Sequence, residues 1–194
     1  MEELAKSLSK HYRIGAPWLY LSACGDKRVN DEIKRQRLSP GDVVDLDKPD
    51  LSCEEKREEP AGHEYRDDET GYFFSSCIKA RRDFHVDPYG KATFCPYLKD
   101  PAFRYDLRKG DLGEFWDTFI PSLAKKAKIT KEYKDNCGSC KLRKNCRICP
   151  VYGHLEHRRF DAKIPYLCEI AQGNRKFKEN WKKLHRRYFK ITDI

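Results

Sequence analysis

The sequence contains no long apolar run and no apolar leader. Its hydrophobic stretches fall well short of the roughly 20 residues that a helix needs to cross a bilayer, so we predict no membrane-spanning segment. Residues 1–6 are polar and helix-like, which predicts no secretory signal peptide. From these two absences we expect a cytoplasmic protein that has no membrane partner.

Large aliphatic side chains are also few for a chain of 194 residues. This length allows one domain, or one domain and a small piece of another. We expect no hydrophobic core of ordinary size unless metal or cross-links support it. The sequence has nine cysteines, and in a reducing cytosol clustered cysteines bind metal more often than they form disulfides.

Several catalytic motifs are missing. The sequence has no Ser-His-Asp order, no phosphate-binding loop and no pair of candidate catalytic carboxylates, so we predict no catalytic residue in this chain. His154 and His157 are expected to be surface side chains, and His85 a structural one. Cys24 is expected to be a reduced thiol without a special role.

A module that combines aromatic and basic residues for RNA binding is missing as well. The net charge of +9 is unevenly placed, with −5 on residues 1–76 and +14 on residues 77–194. Basic charge often indicates a nucleic-acid partner. Here we favour a solvated surface, or compensation for negatively charged metal–thiolate clusters, and we do not expect nucleic acid to bind.

Residues 1–46 predict a helix, a strand and a helix, in that order. The strand is the short apolar run of residues 18–21. This order is typical of the last part of an alternating α/β barrel whose earlier strands are absent. Residues 47–69 are acidic and poor in apolar side chains, which predicts a solvated linker. We therefore assign residues 1–69 to a barrel remnant with a linker, and residues 70–194 to a second domain.

The second of these helices has a clear start signal. Ser39 is placed to act as its N-cap, and Pro40 would occupy the first helical position. Val43, Val44 and Leu46 are predicted to face inward.

A β-hairpin is predicted next. Its strands would be residues 84–86 and 91–95, and residues 87–90 form a turn with Pro at the second position and Gly at the fourth. Cys77 and Cys95 lie near the open end of this hairpin. The hairpin can therefore bring both thiols close enough to share a metal centre.

Two further helices complete the prediction of an α+β fold. Asp111 can cap a helix that Pro121 should kink or divide. The inward-facing apolar set of that helix is Leu112, Phe115, Trp116, Phe119, Ile120 and Leu123. A long amphipathic helix is predicted over residues 166–189, with an outer face rich in Lys and Arg.

The densest signal is a run of four cysteines, which we call the knot: Cys137, Cys140, Cys146 and Cys149, with Cys168 following. Two thiols separated by two residues can grip one metal centre. Zinc, iron–sulfur clusters and disulfides are the alternatives, and disulfides are the least favoured. The spacing of five residues between the pairs is shorter than in many zinc ribbons. Three additional cysteines at hairpin and helix positions indicate two centres that share the knot.

The complete spacing resembles the seven-cysteine signature of SPASM domains, the C-terminal extensions of radical SAM enzymes that mature peptides and proteins. The residues that carry this resemblance are Cys77, Gly90, Cys95, the four cysteines of the knot and Cys168. The flanking sequences are similar to those of the family as well, from Phe84 to Cys95, from Leu112 to Trp116, and from Cys149 to Tyr152. The resemblance covers about residues 70–175 well and residues 1–50 weakly.

This resemblance implies two auxiliary 4Fe–4S clusters wrapped by the hairpin and the helices. Cys137, Cys140, Cys146 and Cys168 would hold one cluster, and Cys77, Cys95 and Cys149 the other. The fourth ligand of the latter would be Cys53, or its iron would stay open to a substrate. We slightly favour the open site.

The sequence departs from this family in one respect. It lacks the Cys-x3-Cys-x2-Cys loop that holds the cluster which cleaves S-adenosylmethionine. We therefore expect this chain to be the C-terminal part of such an enzyme, and S-adenosylmethionine to act only in a full-length or partner context. Two alternatives remain open: a zinc-stabilised basic module that binds nucleic acid or an acidic partner, and a separate iron–sulfur subunit that docks onto a radical SAM catalytic chain.

Overall fold

The structure is a computed structural model that describes residue 7 and residues 23–46, 70–146 and 148–189. The α-helical segments, numbered in chain order, are α1 (Lys27–Gln36), α2 (Pro40–Leu46), α3 (Ser75–Ala80), α4 (Leu112–Glu114), α5 (Ile120–Ser122), α6 (Lys131–Tyr133), α7 (Pro150–His157) and α8 (Pro165–Phe189). Shorter 3-10 turns lie at Pro101–Phe103, Leu123–Lys125 and Arg143–Asn145, and π-helical turns at Phe115–Phe119 and Lys134–Gly138. This mixture of helices with one small antiparallel sheet agrees with the α+β prediction.

The sheet contains the strands β1 (His85–Val86), β2 (Lys91–Thr93) and β3 (Tyr105–Asp106), in that spatial order. His85 is paired with Thr93, and Ala92 with Tyr105, both in antiparallel register. The predicted hairpin is therefore present with shorter strands. The third strand was not predicted, because a two-residue strand is too short to show alternation.

The turn of the hairpin is held by its own first residue. The carboxylate oxygen Oδ1 of Asp87 accepts hydrogen bonds from the backbone N–H groups of Tyr89 and Lys91, both at 2.9 Å. Gly90 has φ of +73°, in the left-handed region that glycine adopts without steric cost. The turn residues therefore dictate the local backbone, as the sequence predicts.

An aromatic core lies behind the sheet and positions α3. The ring of Phe74 lies 5.8 Å from that of Phe94, 5.8 Å from that of Phe103 and 5.2 Å from that of Phe160. Phe74 itself has φ of +68°, which costs a side chain with a Cβ roughly 1–2 kcal/mol. Burial of its ring contributes about 1.5–3 kcal/mol, enough to offset that strain. The packing therefore fixes the residue from which α3 begins.

The helix that follows β3 begins as predicted, since Oδ1 of Asp111 accepts from the Glu114 N–H at 2.9 Å. Its second turn widens, and the Ile120 N–H reaches back five residues to the carbonyl of Phe115. The next residue, Pro121, has no N–H to donate, so the widened turn stands where we expected a kink or a break. Leu112 is 48% exposed, and the prediction that it faces inward is wrong because it lies at the frayed first turn.

The segment before the linker packs onto α7 and α8. The side chain of Asn30 is buried, donates to the Leu155 carbonyl at 2.8 Å and accepts from the Cys24 N–H at 2.8 Å. Arg37 donates to the carboxylate of Glu156 at 2.8 Å, and both side chains are less than 10% exposed. A buried amide and a buried ion pair therefore join α1 to α7.

Helix α2 begins at Pro40, and the Ser39 hydroxyl accepts from the Asp42 N–H at 3.1 Å, as predicted. Val43 and Val44 are buried against α8 and the residues before it, in a cluster with Ile164, Leu167 and Ile170. Leu46 is 47% exposed, so the prediction that it faces inward is wrong. It is the last helical residue, and the two valines already form the buried face.

Several predicted elements lie outside the described residues. They are the strand of residues 18–21, the linker of residues 47–69 and, apart from Ser7, the helix of residues 1–12. The barrel remnant and the domain boundary at residue 70 therefore stay predictions. The predicted C-terminal helix is present as α8, which begins one residue earlier than expected.

Candidate metal centre

Cys137 is presented by a short helix with a widened last turn. Thr130 caps this helix, because its hydroxyl accepts from the Tyr133 N–H at 3.2 Å. The Ser139 N–H then reaches back to the carbonyl of Lys134 at 3.0 Å, which makes the turn around Cys137 π-helical. Turns of this kind are frequent at functional sites. The buried Tyr133 ring meets the Phe73 ring edge-on at 4.8 Å and anchors the helix.

Two tight turns follow and place the next thiols. The Arg143 N–H donates to the Cys140 carbonyl at 3.0 Å, and the Cys146 N–H donates to the Arg143 carbonyl at 3.2 Å. Each bond spans three residues, so the chain from Cys140 to Cys146 makes two consecutive reversals. Cys168 comes from the first turn of α8, where its N–H donates to the Ile164 carbonyl at 3.2 Å.

These three stretches of chain converge on one cavity of about 190 Å³. Four thiols line it: Cys137, Cys140, Cys146 and Cys168. We call these four the knot set; it consists of the first three cysteines of the knot together with Cys168, and it does not include Cys149. A single water molecule needs only about 10–15 Å³ of such space, so the cavity can hold a group of many atoms. The four residues that the resemblance to SPASM domains assigns to one cluster thus line one cavity.

The remaining predicted ligands form what we call the hairpin set: Cys77 on α3, Cys95 just after β2 and Cys149 at the N-cap of α7. Burial raises the pKa of the Cys149 thiol to about 12, and the neighbouring Cys95 and Cys77 act in the same direction. The three thiols are therefore within electrostatic reach of one another. Cys77 is exposed, whereas Cys95 and Cys149 are half-buried.

Burial and repulsion from neighbouring thiols raise the pKa of Cys137, Cys146 and Cys168 and so favour their protonated form. Burial is the largest cause of the raised pKa of Cys137, Cys146 and Cys168, and the other thiols of the set add to it. A metal centre supplies the positive charge that converts such thiols to thiolates. These groups are therefore poor free nucleophiles at neutral pH and well suited as ligands.

Backbone N–H groups oppose this effect at three sulfurs. The N–H of Ile148 donates to Cys146, that of Val151 to Cys149, and those of Tyr97 and Leu98 to Cys95, and each lowers the pKa of its thiol. Hydrogen bonds to the charged form stabilise a thiolate. Donors aimed at sulfur are also a means by which proteins set the reduction potential of iron–sulfur clusters.

Within residues 23–46, 70–146 and 148–189, no three His, Cys, Asp or Glu side chains are arranged to hold one metal ion. A tetrahedral zinc site would draw its sulfurs to about 3.8 Å from each other, since each Zn–S bond is about 2.3 Å. The ligands of a four-iron cluster bind different iron atoms and lie farther apart. The thiol-only donor sets and the volume of the knot cavity fit a cluster of several atoms.

Cys53, the proposed additional ligand, lies outside the described residues. Cys24 is described, and its backbone N–H donates to the side chain of the buried Asn30. The eight described cysteines are all free thiols.

Three histidines of the described part of the chain contact other protein groups. The His154 ring stacks on that of Phe160 at 4.6 Å and is partly covered. His157 is exposed, 3.8 Å from the Glu156 carboxylate. His85 lies in β1, 4.0 Å from the Asp83 carboxylate.

Two cations at the cavity were not singled out from the sequence. Arg143 and Lys163 both line it. Lys163 lowers the pKa of Cys168, and Arg143 lowers that of Cys137 and Cys146. Both residues fit the predicted role of Lys and Arg as compensation for negative clusters, but nothing in the sequence distinguishes them from the many other basic residues nearby.

Comparison with known proteins found no matching protein family, no similar curated protein and no similar solved structure. In the part of the chain that the structure describes, no helix has the length and apolar character required to cross a membrane.

Proposed function

We propose that this chain binds two 4Fe–4S clusters, one through the knot set and one through the hairpin set. The observation that carries the proposal is the single cavity lined by Cys137, Cys140, Cys146 and Cys168. Cys168 is separated from the knot by the whole of α7, yet its thiol faces the same space.

The size of the knot cavity favours a cluster over a single zinc ion. The cavity exceeds by more than tenfold the space that one small molecule such as water occupies. The thiol donors are ligands of iron–sulfur clusters and of zinc alike, so the donor type does not separate the two. When bound, such clusters accept and donate single electrons. The chain's own residues would hold them, exclude water and set their potentials through N–H donors to sulfur.

The wider function is that of an auxiliary domain in a radical SAM maturase that acts on a peptide or protein. This part of the proposal is supported by the resemblance of the seven-cysteine spacing, and of the sequences that flank it, to SPASM domains. The domain would relay electrons to the radical reaction or anchor the substrate near it. S-adenosylmethionine cleavage would belong to a full-length context or to a separate catalytic chain. A cytoplasmic location is the natural setting for free, clustered thiols.

The fourth position of the hairpin set is proposed to be open or filled by Cys53. The exposed position of Cys77 supports an open side, because a ligand from solvent can reach it. If the Cys53→Ala variant loses iron from that cluster, Cys53 is the fourth ligand and the open site is wrong.

Single cysteine substitutions, one in each set, test the assignment of the thiols to two clusters. After anaerobic reconstitution, Cys140→Ser should lose about four irons and the signal of one cluster, because each 4Fe–4S cluster needs its cysteines. Cys149→Ser should remove or alter the other cluster instead. Cys24→Ser is the matched control and should keep full iron. Equal loss from all three variants, or none, would contradict the two-set assignment.

A further inference from the structure

Arg143 lies in the chain between two thiols of the knot set. It follows Cys140 and precedes Cys146, and its own backbone is hydrogen bonded to both of these residues, at 3.0 and 3.2 Å. Its side chain lines the knot cavity. From there it reaches toward the other set, since its Nη1 atom donates to the carbonyl of Ile148 at 3.4 Å. Ile148 is bonded directly to Cys149, a member of the hairpin set.

We propose that Arg143 is a shared electrostatic positioning residue that sets the reduction potentials of both clusters at once. This inference rests on the proposed function, because it requires that clusters occupy both sets. An arginine side chain provides a fixed positive charge, because guanidinium groups in proteins do not lose their proton.

A second cation, Lys163, also lines the knot cavity. Arg143 differs in that its side chain is hydrogen bonded to Ile148, the residue next to Cys149 of the hairpin set. The side chain of Arg143 is half-buried, so solvent screens its charge less than that of an exposed lysine.

The direction of the effect follows from charge. A cluster ligated by thiolates is negatively charged and becomes more negative when it takes up one electron. A fixed cation close to both clusters therefore favours the reduced state of each. Removal of that cation should move both potentials in the negative direction, and should move them together.

The test is a potentiometric titration of the reconstituted full chain, with the two clusters followed by their separate electron paramagnetic resonance signals. In Arg143→Gln, we expect one-electron reduction of each cluster to become about tenfold less favourable, which corresponds to a shift of each reduction potential by ~59 mV in the negative direction. Arg143→Lys should keep both near their original potentials. Lys183→Gln is the control, because this exposed residue lies eleven positions beyond Gln172, about 16 Å farther along α8, and should leave both unchanged.

Arg143→His provides a second variant in case the glutamine variant fails to retain iron. At pH 6 its imidazole carries a charge, and at pH 8 it does not. Both potentials should then depend on pH across that range, in contrast to the original chain. A shift confined to one cluster, or no shift, overturns the inference while eight irons and matching sulfide still support the proposed function. A chain that takes up zinc without sulfide overturns both.

Discussion

The ion pair between Arg37 and Glu156 offers a quantitative test of how residues 23–46 are held. The two side chains are 9% and 7% exposed, and Arg37 also lies over the Tyr166 ring at 4.8 Å. Removal of one partner of a buried pair typically costs 3–5 kcal/mol, because a charge is left without compensation. Lys34 and His157 remain within 4 Å of Glu156, so we expect Arg37→Met to cost about 3 kcal/mol.

The assay is urea unfolding of the reconstituted protein, followed by circular dichroism. The double variant Arg37→Met with Glu156→Met should recover most of the loss, since it leaves no buried charge. Arg35→Met is the matched control, because Arg35 pairs with Glu32 on the surface. This variant should change the free energy of unfolding by less than about 0.5 kcal/mol. A cost below about 1 kcal/mol for Arg37→Met, or a double variant no more stable than the single one, would refute the reasoning.

Two further predictions concern the packing of residues 23–46 against α7 and α8. Gly173→Ala should lower the free energy of unfolding by about 1–3 kcal/mol, because an added Cβ would lie 2.7 Å from Cγ2 of Val44. Urea unfolding midpoints test this prediction, and an unchanged midpoint would show that α2 and α8 can separate at no cost. Burial alone would raise the pKa of Glu156, but the hydrogen bond and charge of Arg37 hold it below its ordinary value. The contribution of Glu156 to the free energy of unfolding should therefore be present above about pH 4.5 and be lost as pH falls further. In Glu156→Gln, stability should depend less on pH in this acid range. An unchanged dependence of stability on pH in that variant would contradict the role given to Glu156.

Local signals predicted most of the elements around the site. The Asp87 turn, the Ser39 and Asp111 caps and the long C-terminal helix follow from the chemistry of a few adjacent residues. Elements without a sequence signal of their own are not predicted. The strand at Tyr105–Asp106 has too few residues for a pattern, and the π-helical turns at Phe115–Phe119 and Lys134–Gly138 have no composition that separates them from an ordinary helical turn.

The candidate site shows the same division. The resemblance to SPASM domains assigned Cys137, Cys140, Cys146 and Cys168 to one cluster, and these four residues line one cavity. The sequence could not single out Arg143, since the neighbouring basic residues Lys141 and Lys144 carry the same charge. Its position depends on the two reversals of the chain between Cys140 and Cys146.

The most direct test is to measure iron, acid-labile sulfide and zinc per chain after anaerobic purification and reconstitution. Two 4Fe–4S clusters predict about eight irons with an equal amount of sulfide, and a brown protein. One or two zinc ions without sulfide, in a colourless protein, would contradict the proposal and favour a zinc-stabilised binding module.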